Sequence, residues 1–459
     1  MGNNLAIIFF YCLTPSYTVD KMTIPNNIKE IMTKLISKGF EAYIIGGAVR
    51  DYLLGVTPHD YDIFTNATGE EILSLFPSGK IMGGEERQEK ILTVIYDGVE
   101  ISQYRENGDR TKTGDNLKDH VMTCDFTINA LAMDIKEHII DLVNGEEDLR
   151  NEILRFVGNP IDRIKEDPLR LLRGVRFAGR FDLDFSDFTP FIHFKPYLDL
   201  LPKERIREEF IKILKTRDGL KILFNLNMLY YILPKFEECY NISGGDHHEE
   251  LVHLHLFHSF EVAKKITDDY RIWLVALLHD IGKGETFVKD PEIHFYNHEV
   301  IGAEYVKEWM EEYKFSNDDI KFVTTLVRQH MWGYKEKCNN NTFIKKINVL
   351  TDAKCSIYDF VKMIYCDNQG NADKRRIKYG DFVANTHFLN TYWDIKTRCL
   401  PFKLTDLEIG GRDLINLGIP EGQEIGKTLL MLFNEVIEGK LLNRKDRLLE
   451  KLGEVITKG

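Results

Sequence analysis

The sequence predicts an α+β protein in which a small α/β head is followed by an all-α body. A chain of 459 residues exceeds what one hydrophobic core usually organises, so we expect roughly two to four domains. Strand and helix patterns alternate up to about residue 145, whereas apolar residues after Asp148 recur almost entirely at helical spacing. The change in periodicity separates the head from the body.

The head is expected to start with an amphipathic helix over residues 25–40, and a short apolar strand then ends in Gly46 and Gly47. A second helix follows over 48–54, a second strand carries 59–64, and the next clear strand pattern surrounds Glu100. These elements place the head at 25–145. The extension at 1–24 contains an apolar run that is too short to span a bilayer.

The helical body is predicted to contain a neck at 146–250, a second helical domain at 251–370 and a tail at 371–459. A strongly amphipathic helix near 169–177 opens the neck, and a Gly-rich loop at 241–246 marks its end. The formal charge of −12 argues against a protein that coats nucleic acid over its whole surface, although it allows a local basic groove. Seven scattered cysteines without a CxxC pair indicate reduced thiols and a cytoplasmic protein without a membrane partner.

Two carboxylates in the second strand predict a magnesium site. Residues two apart on a strand point to the same side, so Asp60 and Asp62 are expected to face one point. Mg²⁺ is commonly held by one or two carboxylates together with nucleotide phosphates. A third carboxylate is typical of two-metal phosphoryl chemistry, and Glu100 is the residue expected to supply it. The alternative is a solvated strand edge without a metal.

Gly46 and Gly47 lie between a strand and a helix, where small residues allow a phosphate to approach the backbone amides. Arg50 adds a cation one turn into that helix.

Further along, Arg170, Arg173 and Arg176 recur every three residues, so their positions rotate slowly around one helix face. Glu and Asp at 166 and 167 lie one turn earlier, and on an isolated helix this pattern would indicate a surface salt-bridge ladder.

A second cluster of metal-binding residue types lies in the body. His279 and Asp280 close a strongly apolar helix, where a charged pair is costly to bury unless it binds something. With His258 on the preceding helix and Asp367 further along, they are expected to form one divalent-metal site. Most of the neighbouring histidines, which are His247, His248, His253 and His255, are expected in loops or at the surface and not as ligands.

Four ordered motifs carry a resemblance to the bacterial-type tRNA nucleotidyltransferase and poly(A) polymerase family. They are GGAVRD at 46–51, DYDI at 60–63, DFTINA at 125–130 and RIKEDPLRLLRGVRF at 163–177, and the similarity returns at 414–425. The resemblance implies a polymerase β-like head that uses Mg²⁺ with ATP and CTP to add C, C and A to the tRNA acceptor end. The residues that it implies for nucleotide binding are Gly46, Gly47, Arg50, Asp125, Asn129, Arg163, Glu166, Asp167, Arg170, Arg173 and Arg176.

In such enzymes the residues that match Asp167 and Arg170 hydrogen-bond the base edge of the incoming nucleotide, and Glu166 would orient Arg170. The chain departs from the family at Thr123 and Cys124, where two arginines are usual, and the stretch from 105 to 125 is shorter than usual. These departures keep enzymes that add only CC or only A as alternatives, beside a poly(A) polymerase.

The second cluster resembles the HD phosphohydrolase superfamily, which implies hydrolysis of phosphomonoesters or 2′,3′-cyclic phosphates through metal-activated water. A hydrolase whose head only binds RNA is therefore the alternative from another class. Basic clusters at 374–378 and 443–447 are the places where phosphate contacts to tRNA are expected. No pattern in the sequence specifies an oligomeric state.

Overall fold

The computed structural model describes residues 23–82, 93–106, 109–244, 250–290, 292–334, 339–371 and 378–458. The chain divides into two compact units, the first ending at Leu200 and the second beginning at Leu201. One unit contains a sheet with helices and the other is mainly helical, so the predicted α+β class is confirmed. Residues 1–22 of the predicted extension, and 374–377 of the first basic cluster, lie outside the described residues.

The strands of the first unit are β1 (Tyr43–Ile45), β2 (Asp62–Thr65), β3 (Lys80–Met82), β4 (Thr93–Tyr96), β5 (Val99–Gln103), β6 (Arg105–Glu106), β7 (Asp109–Thr113), β8 (Leu131–Met133), β9 (Ile139–Asp141), β10 (Ile153–Leu154) and β11 (Asp184–Phe185). Its helices are α1 (Asn26–Ser37), α2 (Gly47–Leu53), α3 (Gly69–Leu75), α4 (Leu117–Val121), α5 (Gly145–Arg150), α6 (Pro160–Glu166), α7 (Leu169–Phe181) and α8 (Thr189–His193).

Seven of these strands form one mixed sheet in the order β3-β4-β5-β2-β1-β8-β9. The central pair, β2 and β5, runs parallel, whereas β2 and β1 run antiparallel. Apolar residues of α1, such as Met32 and Leu35, are fully buried in one cluster with Ile44, Ile63 and Ile101 of the sheet. This packing fixes the faces of β2 and β5, and therefore the direction of the polar residues at their ends.

Two prolines shape the segment after the sheet. Pro160 occupies the first turn of α6, and the Asn159 side chain caps that helix by accepting a hydrogen bond from the Ile161 amide. Pro168 ends α6 and starts α7, since the residue before a proline is disfavoured in the helical region. Within α7, Gly174 allows the ring of Phe191 to pack closely, and a Cβ there would lie 2.6 Å from that ring.

The helices of the second unit are α9 (Lys203–Lys215), α10 (Gly219–Asn225), α11 (Leu229–Ile232), α12 (Lys235–Glu238), α13 (Val252–Ile266), α14 (Tyr270–Leu278), α15 (Lys283–Thr286), α16 (His298–Glu312), α17 (Asn317–Gln329), α18 (Asn340–Asp352), α19 (Ile357–Gly370), α20 (Tyr379–Asn385), α21 (His387–Thr397), α22 (Gly411–Asn416), α23 (Gln423–Ile437) and α24 (Lys445–Lys458). A small antiparallel hairpin joins β12 (Phe287–Lys289) to β13 (Ile293–Phe295).

Helix α14 is almost wholly buried within the second unit. Asp269 caps its start, and every residue from Ile272 to Leu278 is buried, because α13, α17 and α19 pack around it. Helix α13 packs against both α14 and α19, so residues near the ends of these three helices are brought together. Across the described residues, none of the helices has both the length and the apolar character needed to cross a bilayer.

Candidate functional sites

The three carboxylates predicted to hold magnesium lie at the start of the central parallel strands. Asp62 opens β2 and Glu100 lies on β5, and the two residues are directly paired in the parallel register. Asp60 lies just before β2 and is exposed, so the strand is shorter at its start than the sequence pattern indicated. The three carboxylates therefore lie together at the end of the sheet where β2 begins.

The electrostatic environment of Asp62 indicates a place for a cation. Burial, together with the negative charges of Glu100 and Asp60, raises its pKa from 3.8 to about 6, and Arg105 opposes this only in part. A carboxylate cluster of this kind carries a repulsion that a bound divalent cation would relieve. The residues thus fit the predicted Mg²⁺, which prefers carboxylate oxygens.

The Gly46–Gly47 turn lies at the same end of the sheet as Asp62, because β1 and β2 pair in antiparallel register. Gly46 has a φ of 98°, which side-chain-bearing residues rarely adopt, and its amide donates to the Leu131 carbonyl. Gly47 then begins α2. The strand-glycine-helix arrangement expected from the sequence is present.

Arg50 lies in a buried network and does not project as a free cation beside this turn. Its guanidinium donates to Asp51 over 2.7 and 2.9 Å and also to Asn129, and it stacks on the ring of Phe181 at 4.4 Å. The residue is only 3% exposed. The sequence identified Arg50 but not its burial in this network, because two of its partners, Asn129 and Phe181, are distant in the chain.

Asp125 and Asn129 continue this network toward α7. The Asn129 amide donates to Asp125 over 3.1 Å, and Arg173 of α7 donates to the other carboxylate oxygen over 2.6 Å. Burial alone would raise the pKa of Asp125, but Arg173 and the Asn129 hydrogen bond hold it below its ordinary value. A continuous chain of polar contacts therefore joins α2 to α7 through Asp125 and Asn129.

Arg170 is held from two sides on the first turn of α7. Glu166 accepts from its guanidinium over 2.7 Å, as the predicted orienting role requires, and Glu166 also pairs with Arg163. The Thr123 carbonyl accepts from Arg170 over 2.8 Å, and the Met122 carbonyl accepts from Arg163. Arg163 and Arg170 thus donate to main-chain carbonyls next to positions 123 and 124, where the family that the sequence resembles usually has arginines.

Asp167 lies at the junction of α6 and α7, where its carboxylate accepts a hydrogen bond from the Leu169 amide. Arg176, further along α7, stacks its guanidinium on Phe177 at 4.3 Å. Both residues are partly exposed. Asp167 and Arg170 are neighbours at the start of α7, which agrees with the idea that they act as a pair.

In the second unit, four buried side chains meet at the ends of α13, α14 and α19. The Nε2 atoms of His255 and His279 lie 3.1 Å apart, and each lies within 3.5 Å of an Asp367 oxygen. An oxygen of Asp280 lies 3.5 Å from His279 and 2.7 Å from the buried Lys283 ammonium. Three of the predicted residues, His279, Asp280 and Asp367, are therefore together.

The prediction that His258 is the fourth member of this cluster is wrong, because His255 lies there instead. His258 is partly exposed and contacts Glu250 at 3.0 Å on another side of α13. The buried stripe of α13 includes Val252, Leu256 and Ser259, and His255 falls within that stripe whereas His258 falls outside it. The phase of the apolar residues on α13 was the signal that distinguishes the two histidines.

The expectation that His253 and His255 lie in loops or at the surface is also wrong, since both are buried. His253 packs on Phe224 and accepts a hydrogen bond from the Asn241 amide, which is a structural role.

In the basic cluster at 443–447, each cation has an acidic partner. The pairs are Arg444 with Asp446, Lys445 with Asp413, and Arg447 with Glu450.

Three protein families match successive parts of the chain. Residues 42–155 match the Poly A polymerase head domain, and residues 180–240 match a probable RNA and SrmB-binding site of polymerase A. Residues 252–352 match the HD domain. These matches cover the strands with the carboxylates and most of the helices with the histidine cluster.

Individual relatives extend the similarity to nearly the whole chain. A CCA-adding enzyme of Ligilactobacillus salivarius is 30% identical over 94% of this chain and 98% of its own length. A poly(A) polymerase I of Salmonella typhi is 31% identical, but over only 50% of this chain and 54% of its own length. Among solved structures, a Bacillus stearothermophilus CCA-adding enzyme in complex with CTP has a TM-score of 0.60 and 19% identity, covering 94% of this chain and 98% of that one.

Proposed function

Because this chain belongs to the family of CCA-adding enzymes, we propose that it is a tRNA nucleotidyltransferase that adds C, C and A to the tRNA 3′ end. Its substrates are CTP, ATP and the tRNA acceptor end, and no nucleic-acid template is required. The observation that carries the proposal is the closeness of Asp60, Asp62 and Glu100 at one end of the central strands, where the neighbouring negative charges help to raise the pKa of Asp62.

These carboxylates are proposed to hold Mg²⁺ during nucleotidyl transfer. The terminal hydroxyl of the tRNA attacks the α-phosphate in line, the bond to the bridging oxygen breaks, and pyrophosphate leaves. Bound Mg²⁺ would lower the pKa of the attacking hydroxyl and neutralise charge on the triphosphate. The protein's own part is to position both reactants, since phosphoryl transfer depends mainly on alignment and charge stabilisation.

The triphosphate is proposed to approach the Gly46–Gly47 turn, because α2 begins there at the end of the sheet where β2 starts. Arg50 is proposed to hold this turn in place through its hydrogen bonds to Asp51 and Asn129. Its buried position favours a supporting role over direct contact with the phosphates.

Base selection is assigned to Asp167 and Arg170. A carboxylate acceptor beside a forked guanidinium donor can match the edge of cytosine or adenine. Glu166 and the Thr123 carbonyl hold Arg170 in one orientation, so less conformational freedom is lost when the nucleotide binds. Arg163, Arg173 and Arg176 are proposed to complete the basic face that receives the nucleotide.

Addition of both C and A is preferred over a poly(A) polymerase for a specific reason. The relative named a CCA-adding enzyme aligns over nearly its full length, whereas the poly(A) polymerase aligns over about half of its own. The short stretch from 105 to 125, with Thr123 and Cys124 in place of arginines, is the feature that keeps CC-only addition as the second candidate.

The second unit is proposed to carry a metal-dependent hydrolase for phosphomonoesters or 2′,3′-cyclic phosphates. Imidazole and carboxylate ligands together suit a divalent transition metal, which would supply an activated water. His255, His279 and Asp367 fit such an ion because the three side chains are buried and offer ligand atoms within 4.8 Å of one another, and Asp280 lies beside them, 3.5 Å from His279. The body is proposed to consist of a neck at 146–250, a second helical domain at 251–370 and a tail at 371–459. The tail is proposed to bind the tRNA, and the protein is proposed to act in the cytoplasm.

The test uses purified protein, Mg²⁺ and labelled CTP or ATP with four primers. These are tRNA ending before CCA, after C and after CC, and an unrelated RNA. Ordered addition that stops at the complete end supports the proposal, whereas extension of any RNA with ATP alone would assign the chain to the poly(A) polymerases. Addition of CC without A would identify the second candidate, and an Asp60→Ala, Asp62→Ala variant serves as the inactive control.

A further inference from the structure

We propose that the β12–β13 hairpin of the second unit binds a nucleobase, on an aromatic face formed by Phe287 and Phe295. This inference rests on the hydrolase proposed above and is independent of the transferase. It narrows the substrates of that hydrolase from phosphomonoesters and cyclic phosphates in general to those that carry a base. It also assigns the residues that recognise the base, which lie outside the histidine and aspartate cluster.

The register of the hairpin places the two phenylalanines on one face. Phe287 of β12 lies directly opposite Phe295 of β13, and residues paired in this way point to the same side. Their ring centroids are 6.0 Å apart, with the ring planes tilted by 48°. Val288 and His294 form the next pair and point to the other side, where Tyr296 stacks on His294 at 5.2 Å. The two faces of the hairpin therefore offer different surfaces.

The aromatic face adjoins the proposed hydrolase site through Lys283. The Lys283 ammonium lies 2.7 Å from an oxygen of Asp280, and the same ammonium lies over the Phe295 ring at 5.2 Å from its centroid. Lys283 is only 6% exposed, so it is confined between the carboxylate and the ring. A phosphate bound beside Asp280 would therefore be separated from the aromatic face by a single ammonium group.

A second connection fixes the backbone of the hairpin. His298 donates from Nδ1 to the Phe295 carbonyl over 2.8 Å, and its Nε2 lies 3.1 Å from the other oxygen of Asp280. Both the ring and the main chain of Phe295 are thus tied to Asp280, each through a different side chain. A surface that is held in place before the ligand arrives loses little conformational freedom on binding.

The exposure of Phe287 identifies the kind of ligand that the face fits. This ring is 39% exposed and continues the surface of Phe295 outward, away from the buried Lys283. A nucleobase is a flat aromatic ring that stacks on such side chains, whichever base it is. Because ribose joins the base to the phosphate, a phosphate site beside a ring surface fits the two ends of one nucleotide.

The first experiment places a fluorescent reporter on each face of β12. Phe287→Trp and Val288→Trp are made in the full chain, and each protein is titrated with adenosine 3′-monophosphate. The chain has four tryptophans, so the signal of the parent is subtracted. We expect the nucleotide to quench the added tryptophan at 287 and to leave the one at 288 unchanged. This measurement does not depend on hydrolysis.

The second experiment compares a substrate that has a base with one that lacks it. Hydrolysis of adenosine 3′-monophosphate and of glycerol 2-phosphate is measured with Mn²⁺, Ni²⁺ and Zn²⁺ in turn. Phe287→Ser should lower kcat/KM for the nucleotide by roughly 5- to 100-fold, as expected for the loss of one stacked base, and leave that for glycerol 2-phosphate unchanged. Val288→Ser is the matched control, since Val288 is 47% exposed on the other face, and it should affect neither substrate.

Equal quenching at 287 and 288, or no quenching at 287, would overturn the base-binding face. So would a Phe287→Ser variant that loses activity equally on both substrates or on neither. Should Phe287→Ser unfold early in a thermal melt, the tryptophan pair decides alone, because Phe287→Trp retains an aromatic ring. Quenching at 287 in a chain that hydrolyses neither substrate would reject the hydrolase and leave the base-binding face in place.

Discussion

The charge on Asp62 is predicted to destabilise the metal-free protein, and Asp62→Asn should remove that cost. Burial and the neighbouring carboxylates raise its pKa from 3.8 to about 6 in the folded protein. A shift of about two pKa units corresponds to about 3 kcal/mol at 1.36 kcal/mol per unit. Solvent screening at the sheet edge reduces this, so we expect a gain of about 1–3 kcal/mol for the variant at neutral pH.

The sign of the pH dependence follows from proton linkage. A carboxyl with a raised folded pKa keeps its proton longer in the folded state, so it costs nothing below the unfolded pKa of about 4. The cost grows as the pH rises through this window and becomes constant above about 6. The stability advantage of Asp62→Asn over the parent should therefore be small at pH 4 and full at pH 7.5.

The assay is thermal unfolding of both proteins in excess EDTA across this pH range. For a unit of this size, each kcal/mol shifts the midpoint by roughly 2–4 °C. The exposed Asp60 provides the matched control, since Asp60→Asn should give a smaller gain. Adding Mg²⁺ should stabilise the parent and narrow the gap. A variant no more stable than the parent at pH 7.5, or a gap independent of pH, would refute the reasoning.

Three further predictions concern the head. Glu166→Gln removes a charged partner of Arg170 and should lower kcat/KM for CTP and ATP by roughly 10- to 100-fold, the effect of losing about 1.5–3 kcal/mol, in single-nucleotide kinetics. Gly174→Ala places a Cβ 2.6 Å from the Phe191 ring and should cost about 1–3 kcal/mol in urea unfolding. Removal of divalent cations with EDTA should abolish nucleotide addition in a primer-extension assay, and added Mg²⁺ should restore it.

Each of these has an outcome that contradicts it. Unchanged nucleotide kinetics in Glu166→Gln would mean that the Thr123 carbonyl alone orients Arg170. Wild-type stability in Gly174→Ala would mean that Phe191 moves aside without cost. Addition that persists in EDTA, after prior dialysis against the chelator, would remove the metal from the proposed transferase reaction.

The sequence predicted the parts of the head that depend on neighbours in the chain. The strand-glycine-helix turn at Gly46 and the placement of Glu100 on a strand are both present, because alternation and turn chemistry are local properties. The direct parallel pairing of Asp62 with Glu100 was beyond a single sequence, since thirty-odd intervening residues permit many registers. The convergence was expected, whereas the pairing that produces it was not.

Longer-range contacts account for the errors. Arg50 looked like a free cation because Asn129 and Phe181, which engage it, lie far along the chain. The choice of His258 over His255 ignored the rotational phase of α13, which is set by its packing against α14 and α19. In both cases tertiary packing determined which polar side chain faces the site.

The anchorage of Arg163 and Arg170 on the carbonyls of Met122 and Thr123 has an evolutionary consequence. A main-chain acceptor is encoded by the path of the backbone and not by the codon, so point mutations at these two positions leave it in place. The side chains at these positions can change during evolution while the arginines keep their hydrogen bonds to the main chain. The contact of Arg170 with the Thr123 carbonyl therefore does not depend on the side chain at 123, and Thr123 variants with other small residues should keep it and support growth in a complementation assay.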